Sequence, residues 1–172
     1  MKRRHFVASA LIPLSGNVLA STPSVQNLNE VLLWLDSLQS AKSVQSTNGW
    51  TLNAVLEHLA QSIEMSMDGY PEPKSALFQA TAGSAAFAFF KMRGSMTHGL
   101  AEPIPGAAPL QQLSTWQTGS ARLRAAVRRF QNHTGALKPH FAYGALNHHD
   151  FALAHTMHIA NHQDKIVIVS LT

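Results

Sequence analysis

An all-α fold, an antiparallel helical bundle within one domain, is predicted by three features of this sequence. Apolar residues recur at helical spacing in several long segments. Proline and glycine cluster between those segments, and only Ile166 to Val169 has the composition of a strand, a very short one. At 172 residues the chain suits a single domain with a real core. Its composition, 45% hydrophobic and 13% charged with no low-complexity tract, excludes a disordered chain.

Residues 1–20 read as an export signal peptide. Lys2, Arg3 and Arg4 lead into a mildly apolar run from Phe6 to Leu14, and Val18-Leu19-Ala20 has the small-residue pattern of a cleavage site. The order Arg3-Arg4-His5-Phe6-Val7 resembles a twin-arginine signal, with Lys2 where a polar residue usually precedes the arginines. A Sec-type signal or a retained lipid anchor is the other reading. Pro13, Ser15, Gly16 and Asn17 interrupt the run, so no stable membrane span is expected after cleavage. Either signal implies export, to the periplasm if the source is a Gram-negative bacterium.

Residues 21–172 then form the bundle domain. The first helix is predicted over about Ser24 to Lys42, with Leu28, Val31, Leu32, Leu35 and Leu38 on one side. Thr51 caps a second helix running to about Asp68, which Gly69-Tyr70-Pro71 ends. A third, about Ser75 to Arg93, has no charged residue among the 16 between Lys74 and Lys91. Its length and its Gln79, Thr81, Gly83 and Ser84 favour a central buried helix over a membrane span. After a loop with Pro103, Pro105, Gly106 and Pro109, the fourth helix covers about Leu110 to Gln131. It gathers Trp116, Leu123, Val127 and Phe130 in a narrow arc, and Arg122, Arg124, Arg128 and Arg129 take its solvated sides. The fifth runs from about Asn147 to Ile166. Short connections favour antiparallel neighbours.

Charge excludes one class of function. The sequence pI is about 9.8, but removing the three basic leader residues takes Lys+Arg from 13 to 10, against 9 carboxylates. A body near +1 with dispersed arginines gives no nucleic-acid stripe. With no cysteine, thiolate ligands and nucleophiles are absent too.

The ten histidines are the unusual feature, five of them between His148 and His162. On a helical wheel centred at His155, His158 lies at about 300°, His162 at about 340° and His148 at about 20°. Phe151, Ala152, Ile159 and Ile166 share this arc, so the histidines sit in the apolar seam that faces the core. His149, Thr156, Asn161, Gln163, Asp164 and Lys165 take the remaining surface, and His148 and His149 read as partly exposed helix-start residues. An unsatisfied buried polar group costs on the order of 1–3 kcal/mol, and one cation satisfies several imidazoles at once. His158 and His162, four residues apart, have their Cβ atoms about 5–6 Å apart on one face. They are the predicted ligands of a divalent metal. His58 is the best third candidate, because Ala54, Val55, Ser62 and Met65 turn it towards the bundle interior. His98 and His133, in loop or end positions, are weaker. His155 is a pocket residue and the candidate proton carrier.

At these residues the sequence resembles the DinB-like bundle superfamily, closest to a branch of unknown function whose members often carry twin-arginine signals. The matching pieces are Trp50 with "VLEHLAQSIEMSMDGYPEP", the turn "HFAYGAL" from His140 to Leu146, and "HTMHIANH" from His155 to His162. They cover most of the chain from Trp50 to Ile166. The resemblance implies a four-helix bundle with an additional helix, often a homodimer, and a three-histidine metal site of His58, His158 and His162. Related branches include metal-dependent thiol transferases and hydrolase-like enzymes. The chain departs from the branch at Lys165, where a Gln is usual.

Three neutral histidines leave coordination positions open, as catalytic zinc sites do. One reading is therefore a metal-dependent transferase or hydrolase acting on a small molecule, in a pocket of Phe151, Met65 and His155. The other is a non-catalytic metal- or partner-binding bundle in which the ion holds helices together. Glu57, Glu64, Asp68, Asp150 and Asp164 do not share the ligand face, so no carboxylate base is identified. Imidazole suits Zn, Ni, Fe and Mn alike.

Overall fold

A computed structural model describes residues 23–47 and 49–169; the expected export signal over 1–20 lies outside the described residues. The predicted helices form, with shorter ends. Helix α1 is Leu28–Gln39, α2 Leu52–Asp68, α5 Trp116–Gln131 and α6 His148–Gln163. Between α2 and α5 a helical rod consists of α3 (Ala76–Phe78), a π segment (Gln79–Gly83) and α4 (Ser84–Arg93). The strand composition is realised as β2 (Ile166–Val169). It pairs antiparallel with β1 (Ser43–Ser46), so that Ser43 faces Val169 and Ser46 faces Ile166. Among the described residues the fold is all-α apart from this ribbon. Among the described residues no helix is long and apolar enough to cross a membrane.

Side-chain caps place the helix starts. Asn27 accepts from the Glu30 amide at 3.0 Å, Thr51 from Ala54 at 3.3 Å and Asn147 from Asp150 at 2.8 Å. Gly69 (φ 113°) and Gly94 (φ 69°) end α2 and α4 in conformations that disfavour a side chain.

The core joins the apolar faces of α1, α2, α5 and α6. Val31, Leu35, Leu38, Val55, Leu56, Leu59, Leu123, Val127, Phe130 and Phe151 are completely buried. α2 lies between α5 and α6. It runs antiparallel to α6, since Ser62 meets His158 and Ser66 meets His155. It runs parallel to α5, because Asn53, Glu64 and Asp68 meet Gly119, Arg122 and Arg129 in the same order. The long segment between α2 and α5 allows this crossover, which a short turn would forbid. Three of the four arginines of α5 are paired rather than merely solvated. Arg122 grips Glu64 through two nitrogens at 3.1 and 2.7 Å, Arg129 grips Asp68, and Arg124 reaches Asp36 on α1 at 2.6 Å.

Two expectations are corrected. The third predicted helix is not central: of the whole rod only Gly83 and Phe87 are buried, while Leu77 is 75% and Met92 80% exposed. The rod packs on α6 through Phe87, near Met96, Ala154 and Met157, and Lys91 pairs with Asp150 at 2.6 Å. Lack of charge had suggested burial, but the apolar side chains of α4 point all round it and define no face to bury. Thr156 and Gln163 were expected at the surface and are buried. The segment before α1 covers the end of α6, where Gln163 accepts from the Val25 amide and donates to the Pro23 carbonyl, at 3.0 and 3.2 Å. Thr156 donates to the Ala152 carbonyl within its own helix.

Candidate metal centre

The antiparallel contact of α2 and α6 brings three predicted ligands together. His58 comes from the buried middle of α2, and His158 and His162 from consecutive turns of α6. One ligand nitrogen from each lies within 4.8 Å of the other two. The Nε2 atoms of His58 and His158 are 3.1 Å apart. Two nitrogens bound to one tetrahedral ion at 2.0–2.1 Å lie about 3.3–3.4 Å apart, so this pair needs little movement to share an ion.

The remaining nitrogens show what the site lacks. His162 is completely buried, and neither of its ring nitrogens has a hydrogen-bond partner; buried His58 Nδ1 has none either. Native proteins rarely leave such atoms orphaned, and a cation would take the one free lone pair that each neutral ring offers. His158 Nδ1 meets Ser62 Oγ at 3.3 Å, the kind of outer contact that orients a metal-bound imidazole. The donor set therefore fits a divalent ion.

Electrostatics keeps the rings in the form a metal needs. Burial, and then the neighbouring His98, pushes His58 down to about 4. Burial, then His58 and His98, pushes His162 down to about 3. His158 lies well below its ordinary value through burial first and then its histidine neighbours. All three are neutral at pH 7, with lone pairs available.

A cavity of about 270 Å³ opens beside His58 and His158. Of the three residues expected to line a pocket there, only His155 does. Phe151 is a core residue stacked behind His155 at 5.5 Å, and half-buried Met65 lies off the cavity wall. The wheel fixed their direction around the helix but not which side the loops leave open. His155 Nε2 meets Ser66 Oγ at 3.2 Å, and burial pushes this ring down to about 3, which makes it a weak proton acceptor. As expected, His148 and His149 are exposed, His148 stacking on Phe130 at 4.4 Å. His133 lies just past α5, outside the ligand group.

Sequence reasoning weighed His98 only as a weaker ligand candidate and missed most of the rest of the cavity wall. His98 and Glu102 come from the loop after α4, Lys74 from the segment before α3, and His140 and Tyr143 from the turn before α6. His140 Nδ1 accepts from the Ala142 and Tyr143 amides, both at 3.2 Å, so its proton is on Nε2. Tyr143 stacks on it at 4.2 Å, and burial raises the Tyr143 hydroxyl to about 12. None of these residues has a periodic neighbour pattern to place it. The one available signal was the "HFAYGAL" turn, read only as part of a resemblance.

The model of the family described as "Protein of unknown function (DUF1569)" matches residues 22–168. No curated protein and no solved structure matches significantly. The chain belongs to this family of unknown function, DUF1569, within the DinB-like superfamily.

Proposed function

We propose that this protein is an exported, metal-dependent enzyme, a transferase or hydrolase acting on a small molecule held in the cavity beside His58, His158 and His162. One observation carries the reading. Three neutral histidines, two buried and His158 half-buried, converge on one point, with His162 lacking any partner for either nitrogen, and a cavity large enough for a small ligand adjoins His58 and His158. The basic and then apolar leader supports the export part. A divalent ion there would lower the pKa of a bound water or thiol and act as a Lewis acid. Ser62 would hold the His158 ring in place, and Nε2–H of His140 would offer a hydrogen bond to a substrate oxygen. Lys74 and Glu102 give the cavity one group of each charge.

The second reading is an ion that only ties α2 to α6, favoured by the fact that its ligands bridge these two helices. The test is elemental mass spectrometry on untagged protein, with His158→Ala and His162→Ala beside it. Near-stoichiometric metal, lost in both variants, is the expected result. Folded protein that stays empty after incubation with Zn, Ni, Fe and Mn overturns both readings. If metal is bound, small anions or thiols that perturb it support the enzyme, and inertness towards them supports the structural ion.

A further inference from the structure

A fourth histidine stands beside the three. His98 is half-buried on the loop that follows α4, far from the ligands in sequence. Its ring centroid lies 4.8 Å from that of His158 and 5.4 Å from that of His162. Among the helix-borne rings the same distances are 5.0 Å for His58–His158, 5.2 Å for His58–His162 and 5.1 Å for His158–His162. A metal-bound imidazole has its centroid about 3.2 Å from the ion, so four in a tetrahedron have centroids about 5.2 Å apart. The His98 separations from His158 and His162 scatter about this value as the other three do.

The proton of His98 also has a definite place. Nδ1 lies 2.7 Å from the Gly99 carbonyl. A carbonyl can only accept, so Nδ1 carries the hydrogen and the Nε2 lone pair is left for another partner. Metal-binding histidines commonly have this arrangement, with one nitrogen given to a backbone carbonyl and the other to the ion.

We propose that His98 is a fourth, exchangeable metal ligand carried by the loop after α4. It completes a four-imidazole shell at rest and yields its position to a substrate atom entering the cavity. The three helix-borne nitrogens are mutually within 4.8 Å and His98 stands outside that group, so its coordination requires the loop or the side chain to move towards the ion. His98 is carried on this loop between two buried anchors, Met96 and Ile104. This inference rests on the three-histidine metal reading and adds to it a ligand that controls access.

The experiment uses the full mature protein loaded with Co(II), whose visible absorption reports ligand number and type. His98→Gln is compared with wild type and with His149→Gln, a change at an exposed histidine outside the site, and far-ultraviolet circular dichroism checks that all three are folded. Replacing His98 should shift the Co(II) bands, weaken Co(II) binding ten-fold or more, and tighten azide binding at the vacated position. His149→Gln should behave as wild type. Bands, affinity and azide binding unchanged in His98→Gln overturn the fourth ligand and leave the three-histidine site standing. A wild-type protein that binds no Co(II) overturns both.

Discussion

The residue that best reports the chemistry of this protein is His162. Its ring is completely buried on a stripe shared with His155, Phe151 and Ile159, with two nitrogens and no partner for either. Burying a polar group this way costs free energy that an aliphatic side chain would not, so the position has a use other than packing. His158 differs in having Ser62 Oγ at 3.3 Å from Nδ1. That hydroxyl would fix which nitrogen faces a bound ion, and loss of an outer partner of this kind typically weakens metal binding about 10–100-fold. Ser62→Ala should therefore weaken Zn binding by about that factor while leaving thermal stability of the metal-free protein within about 1 kcal/mol of wild type. Competition against a chromophoric chelator measures the first and a melting curve the second. Unchanged affinity would show that the serine does not orient His158.

At the scale of elements, the site depends on how closely α2 is held by its two neighbours. Asn53 on α2 donates to the Gln111 carbonyl and accepts from the Gly119 amide, at 2.6 and 2.8 Å, clamping the start of α5. Gly119 is helical and buried because nothing larger fits. An added Cβ would lie 2.8 Å from the Asn53 carbonyl oxygen and 3.0 Å from Leu56 Cβ. The first of these is backbone and cannot turn aside. Gly119→Ala is expected to destabilise the protein by about 1–3 kcal/mol through overpacking, despite the better helix propensity of alanine. Urea unfolding checks this, and a more stable variant would mean that α2 and α5 can separate at little cost. The rod of α3, the π segment and α4 shows the converse. It has few buried residues, and its exposed Leu77, Phe89 and Met92 contribute little to the core.

Across the whole molecule, buried neutral histidines set the response to acid. His140 and His155 are both pushed down to about 3 by burial, against an ordinary value of 6.5. The folded chain therefore keeps them unprotonated where the unfolded chain takes up protons. Stability from these groups is complete above about pH 6.5 and is lost as pH falls from there towards about 3. The metal-free protein should melt at similar temperatures at pH 7 and 8 and several degrees lower at pH 5. A melting temperature that rises on acidification would show that these rings are not buried and neutral in solution.

Several of these features were legible in the residues alone, and the boundary has a physical basis. Helical periodicity is local. It sets the direction of each side chain around its own axis, so the all-α class, the Thr51 and Asn147 starts and the inward turn of His58, His158 and His162 were determined by sequence. Even the short strand at Ile166–Val169 was visible in its β-branched run, though not its partner Ser43–Ser46. Only the tertiary structure decided which faces meet. It made α2 and α5 parallel, buried Gln163 under the segment before α1, and left the rod of α3, the π segment and α4 at the surface despite the charge-free run between Lys74 and Lys91. It also brought His98, Glu102 and His140 to the cavity, since a loop residue has no period to aim it and is placed by the long-range packing of the helices on either side.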